Sequence, residues 1–162
     1  MSIVAILMGS KSDLAFVERI TAALDEWGIR HEWRVASAHK SARYLLDLLA
    51  EYEASGEVGV YITVAGRSNA LSGMVDANVS APVIACPPYS ERFGGADLYS
   101  SLRMPSGVAP AVVLEPTSAA LLAAKILGVG NVALRERVIA AQRAQTQQLV
   151  DVDTELRSSD AT

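Results

Sequence analysis

What most constrains this chain is a recurring unit: a short apolar run, then a small polar cluster, then a helical stripe. The first run is Ile3-Val4-Ala5-Ile6-Leu7-Met8. It is short, rich in β-branched residues and free of polar alternation. Such a run suits a strand buried on both faces, as in a parallel sheet. Val58 to Val64, Val83 to Cys86 and Ala111 to Leu114 repeat the type. Trp33 and Val35 alternate with polar neighbours, which suits a strand at a sheet edge.

Helical spacing fills the intervals. Ser12 and Asp13 are capping types, Leu14, Val17, Thr21 and Leu24 follow them, and Gly28 closes the segment. Leu45, Leu48, Leu49 and Tyr52 stand at i, i+3, i+4 and i+7, one face of a helix. Residues 67–78 read as loop plus helix, and Ser118 to Leu127 as a helix. Residues 131–157 read as a long amphipathic helix that leaves the main body. Its apolar positions Leu134, Val138, Ala141, Leu149, Val152 and Leu156 form one stripe in need of a partner surface, the simplest being a neighbouring subunit. Ser158 to Thr162 read as a frayed tail.

Strands alternating with helices predict a doubly wound parallel sheet with right-handed crossovers. About five strands predict an α/β, flavodoxin-like, three-layer αβα sandwich with an extended C-terminal helix. Residues 1–162 show no internal repeat or boundary and are read as a single domain.

Composition narrows the function classes. The chain is 51% apolar and 20% charged, too hydrophobic for disorder and rich enough to suggest a homo-oligomer. A net charge of −4 and a pI near 5.2 provide no basic stripe for nucleic acid. The single cysteine, Cys86, excludes an intrachain disulfide and a cysteine-cluster metal site, and its place in an apolar run predicts a buried thiol. No basic and apolar leader opens the sequence, and no apolar stretch approaches the ~20 residues of a membrane helix. The expectation is a cytoplasmic protein without membrane contact.

The architecture then locates a site. In such sheets ligands bind outside the carboxyl ends of the strands, where strand order reverses. There the sequence places "GSKSD" after strand one, "SAHK" after strand two, "AGRSN" after strand three and "CPP" after strand four. Gly9, Ser10, Ser12 and Asp13 offer free backbone N–H groups and hydroxyls at a helix start, which suits a phosphate, with Asp13 better matched to sugar hydroxyls. A plain helix cap is equally open for Ser12 and Asp13. His39 is one of two histidines; it brings an imidazole able to move protons, and Lys40 a fixed positive charge. For His39 a structural and a proton-transferring role are both open. His31, at the other end of the same strand, is expected to be merely exposed. Gly66, Arg67, Ser68 and Asn69 supply a tight glycine turn, a guanidinium, a hydroxyl and an amide, or else only local backbone bonds. "LRMPSG", residues 102–107, implies a fixed turn, with Arg103 a candidate for pairing across subunits.

Together, "MGSKSD", "SAHK", "AGRSNALSG", "ACPP", "SSLRMPSG" and "AALLAAKILG" resemble, in order and spacing, the PurE family of aminoimidazole ribonucleotide carboxylases and mutases of purine biosynthesis. The resemblance spans about Ile3 to Gly128. Class I members, the mutases, carry "SAHR" and a histidine-bearing loop after strand three. Class II members join free carbon dioxide to aminoimidazole ribonucleotide and carry "SAHK" and "AGRSN", as here. This chain has no third histidine for a class I loop. The resemblance therefore implies a class II carboxylase, with the class I mutase as alternative. It also implies a homo-octamer and no cofactor: no metal, biotin or ATP. Carried onto this sequence, His39, Lys40 and Ser68 are the implied catalytic residues. Gly9, Ser10, Ser12, Asp13, Ser37, Lys40, Gly66, Arg67, Ser68 and Asn69 are the implied substrate contacts. Residues 69–73 are read as a flap over the pocket, and residues 90–95 or Arg103 as contributions across subunits.

A non-catalytic nucleotide-binding domain of the same fold is the distant alternative. A receiver domain would need acidic residues after strands one and three, where this chain has Met8-Gly9-Ser10 and Ala65-Gly66-Arg67. An electron-transfer flavodoxin would need aromatics around its flavin, and "GSKSD" has none.

Overall fold

The computed structural model describes residues 2–159. The strands are β1 (Ile3–Met8), β2 (His31–Val35), β3 (Val58–Val64), β4 (Val83–Ala85) and β5 (Ala111–Val112). They pair in parallel in the order β2-β1-β3-β4-β5. That order, with helices on both faces, is the flavodoxin-like arrangement. The helices are α1 (Leu14–Glu26), α2 (Ala42–Ser55), α3 (Ala70–Asp76), α4 (Tyr99–Leu102), α5 (Pro116–Gly128) and α6 (Val132–Ser159).

The two faces follow from the two-residue period of β1. Val4, Ile6 and Met8 point to one side, where they join Val17, Ile20 and Leu24 of α1 and the alanines of α5. Ala5 and Leu7 point to the other, with Leu45, Leu48 and Leu49 of α2 and Leu71 and Val75 of α3. A strand with both faces buried admits a polar residue only where it is hydrogen-bonded, as Thr63 is in β3, hence the nearly unbroken apolar runs. Small residues let the layers approach. A Cβ on Gly59 would stand 2.6 Å from Leu127 of α5 and 2.7 Å from Ser2, so any larger residue there would force these side chains to shift.

Several expectations are refined. The buried stripe of α1 is Val17, Ile20, Ala23 and Leu24, with Thr21 turned aside to bond the Glu18 carbonyl. A 3-10 turn, Lys11–Asp13, precedes α1, and its cap is Ser10, which accepts from the Ser12 amide; the Asp13 side chain makes no cap bond. His31 is half-buried rather than exposed, with Nε2 3.0 Å from Asp25 Oδ1. The stripe on α6 divides. Leu134 and Val138 are buried in the protomer's own core, and Arg137 anchors the same turns by donating to the Trp27 and Glu26 carbonyls at 2.7 Å each. Beyond Ala141 the helix is exposed throughout. Ser158 and Ser159 belong to that helix rather than to a frayed tail, and residues 160–162 lie outside the described residues.

Candidate active site

Strand order creates a crevice. α1 leaves β1 toward one face and α3 follows β3 on the other, so the loops after these neighbouring strands splay apart. Backbone bonds stitch their roots together: Gly9 N–H donates to Val64 O at 3.0 Å, and Ala36 N–H to Met8 O at 2.9 Å. The loops after β1, β2 and β3 therefore start from fixed, adjacent points. Between them lies an open cleft of about 600 Å³.

The "GSKSD" wall is tied locally. Ser12 Oγ lies 2.9 Å from Ser10 Oγ and 3.5 Å from Asp13 Oδ1. In the "SAHK" wall, Ser37 Oγ accepts the Lys40 amide at 3.2 Å, and the Ser37 amide donates to Ser41 Oγ at 2.9 Å. These bonds fold residues 37–41 into a turn and leave the His39 and Lys40 side chains exposed. Neither side chain has a bonding partner among the described residues, so both are available to a ligand.

The "AGRSN" wall differs from the sequence-based reading. The left-handed residue is Arg67, with φ of 60°, rather than Gly66. Gly66, Arg67 and Ser68 border the cleft, but Asn69 does not. Its side chain is buried, caps α3 by accepting the Ser72 amide at 3.1 Å, and donates to Ser101 Oγ at 2.9 Å. A buried amide with these bonds made has little left for a substrate. The flap proposed over residues 69–73 is likewise fixed structure: Leu71 and Ser72 are buried, and Gly73 lies against Met104.

The structure thus gathers Gly9, Ser10, Ser12, Asp13, Ser37, His39, Lys40, Gly66, Arg67 and Ser68 around one space, with Asn69 behind it. It adds Pro88, Tyr89, Ser90 and Arg92 from the segment after β4, within the same protomer. "CPP" marked this segment in the sequence, but no periodicity indicated where its chain would turn. The Pro105 carbonyl accepts the Val108 amide at 3.2 Å, a fixed turn as expected, and Arg103 lies away from the cleft.

Burial raises the pKa of Asp13 above its ordinary 3.8, opposed by the Ser12 hydroxyl and the Arg67 charge. An ionised Asp13 therefore costs stability, and donors from a ligand would relieve that cost. The penalty is present above the folded-state pKa and disappears as pH falls below 3.8, where both states are protonated. Asp13→Asn should accordingly melt slightly higher than the parent at neutral pH without ligand, with the gain vanishing in acid. Melting curves at neutral and acidic pH check this; an equal or lower Tm at neutral pH contradicts it. Cys86 is buried beneath the sheet's end, and burial together with the Glu115 charge pushes its thiol up to about 12, which suits packing rather than nucleophilic chemistry.

With fold and cleft described, the similarities to known proteins have a physical context. The AIR carboxylase family model matches residues 3–148, and this chain belongs to that family. A phosphoribosylaminoimidazole carboxylase of Archaeoglobus fulgidus is 53% identical over 94% of this chain and 83% of its own length. One of Treponema denticola is 48% identical over 96% of this chain and 98% of its own. The crystal structure of Treponema denticola PurE superposes with a TM-score of 0.93, at 48% identity, covering 96% of this chain and 99% of that one.

Proposed function

We propose that this protein carboxylates aminoimidazole ribonucleotide with free carbon dioxide, reversibly, giving 4-carboxy-5-aminoimidazole ribonucleotide for purine biosynthesis. The observation that carries the reading is one cleft, in a chain of the AIR carboxylase family, bordered by an exposed imidazole, an ammonium and several hydroxyls. The substrate's ring carbon is made nucleophilic by the adjacent amine. It forms a carbon–carbon bond to carbon dioxide and still holds its own proton. His39 removes that proton and restores the aromatic ring, and returns it in reverse. Lys40 and Ser68 hold the carboxylate. Ser10, Ser12, Asp13, Ser37, Gly66 and Arg67 bind the nucleotide, with Asp13 taking sugar hydroxyls and the backbone after Gly9 the phosphate. Asn69 is assigned a positioning role.

The class II assignment rests on Lys40 after His39 and on Arg67-Ser68 where the mutases carry their loop histidine. The reaction needs no metal, biotin or ATP in this reading. Residues 1–162 act as one domain in a cytoplasmic homo-octamer, with the part of α6 beyond Ala141 packed on a neighbouring subunit. Assembly would also cover the open cleft and limit competing water. The deciding assay supplies purified protein with aminoimidazole ribonucleotide and bicarbonate, with chelator present and ATP absent. Product formation is expected. Efficient turnover of the N-carboxylated isomer alone would instead make the protein a mutase.

A further inference from the structure

Four buried polar residues, Thr63, Asn69, Ser72 and Ser101, form one hydrogen-bonded chain. Thr63 Oγ1 lies 2.7 Å from Ser72 Oγ. Ser72 Oγ donates to Asn69 Oδ1 at 2.9 Å, and Thr63 Oγ1 also reaches the Ile84 carbonyl at 3.4 Å. Asn69 Nδ2 donates in turn to Ser101 Oγ at 2.9 Å. Among the described residues no buried side-chain nitrogen or oxygen lacks a partner. A buried network in which every polar atom has a partner rigidifies what it joins. Here it joins β3 to α4 through the root of the cleft's third wall.

A second set of bonds holds the backbone of that wall. Asp97 Oδ2 accepts the Arg67 amide at 3.2 Å. Ser100 Oγ accepts the Asn69 amide at 2.9 Å, donates to the Asp97 carbonyl at 2.7 Å and stands 3.4 Å from the Arg67 carbonyl oxygen. Arg67 is left-handed, which costs a non-glycine residue roughly 1–2 kcal/mol. Such a conformation persists only where its surroundings over-determine it. Glycine would adopt it without that cost, so an arginine there points to a use for its side chain.

We propose that Asp97, Ser100 and Ser101 are positioning residues for the reaction, a clamp that holds residues 67–69 and so aims Arg67 and Ser68 into the cleft. None of the three borders the cleft, so they act through the loop they hold. The proposal rests on the carboxylase reading for its effect on rate, but not for its effect on the loop.

The test compares Asp97→Ala, Asp97→Asn and Ser100→Ala with the parent. Three quantities are read: kcat and KM for carboxylation, amide hydrogen exchange at Arg67 and Asn69, and Tm. Misplacing reacting groups by about 1 Å can cost on the order of a hundredfold in rate. Asp97→Ala is expected to lose kcat/KM on that scale, with faster exchange at Arg67 and a Tm lowered by only a few degrees. Asp97→Asn keeps an acceptor oxygen and should recover most of the activity. Ser100→Ala should speed exchange at Asn69 and lower the rate; it carries the comparison if Asp97→Ala does not fold. Wild-type kcat and KM in the alanine variant, or an asparagine variant equally impaired, overturns the clamp. A parent without carboxylase activity refutes the functional reading instead, while unchanged exchange in the variants still refutes the clamp independently.

Discussion

His39→Asn is expected to fold normally and to lose turnover by on the order of a hundred- to ten-thousand-fold, the usual contribution of a positioned proton-transfer group. The fold should be insensitive because the ring is exposed and has no bonding partner among the described residues. Substitutions at such positions usually change stability by no more than about 0.5 kcal/mol. Substrate affinity should also change little, since Ser10, Asp13, Ser37, Lys40 and Arg67 remain around the cleft. Circular dichroism, equilibrium binding and steady-state rates separate the three effects. Retention of most of the turnover would remove His39 from the mechanism. His31→Asn is the matched control. Its ring pairs with Asp25 at the opposite end of the sheet, a contact of the surface kind worth up to about 1 kcal/mol, so it should alter Tm slightly and turnover not at all.

Ending the chain after Arg143 should break the assembly into smaller species and abolish most of the activity. The cut is chosen from the way α6 divides. Leu134, Arg137 and Val138 serve the protomer's own core and remain in the shortened chain. A cut after Gly130 would remove them and confound dissociation with unfolding. Beyond Arg143, Leu149, Val150, Val152 and Leu156 are 72%, 52%, 46% and 63% exposed in the isolated protomer. Fully burying a side chain of this size is worth about 1.5–3 kcal/mol, so covering them by a neighbouring subunit would contribute several kcal/mol per protomer. Leu149, Val152 and Leu156 lie three and four residues apart, on one side of the helix. Light scattering and sedimentation read the mass, and the carboxylation assay reads the consequence. A full-length protein that is monomeric at micromolar concentration would refute the subunit role of α6. A shortened protein of unchanged mass would do the same.

Much of this structure was legible in the sequence because the signals were local. The unbroken apolar run of β1 could only be buried on both sides, which implied helices on both faces. The stripe Leu45, Leu48, Leu49 and Tyr52 is buried as its spacing required. Once the strands were parallel, every polar cluster following one had to emerge at the same edge. That reasoning brought Ser10, His39 and Ser68 to one cleft although each stands 29 positions from the next in the sequence.

What the sequence determined by itself was therefore the layering, the strand ends and the identity of the chemical groups there. Tertiary structure decided how those groups are spent. Asn69 reads as a ligand-binding amide until Ser101, 32 residues later, takes its N–H. Arg67 looks like an ordinary loop residue until the Asp97 carboxylate, 30 residues away, accepts its amide. The apolar positions of α6 share one stripe, yet Leu134 and Val138 meet α5 and the core while Leu149 and Leu156 project beyond them. Periodicity reports which face of an element is apolar, because it depends on rise and turn within that element alone. Which distant donor meets which acceptor depends on the path of the connecting chain, and a local pattern does not encode that path.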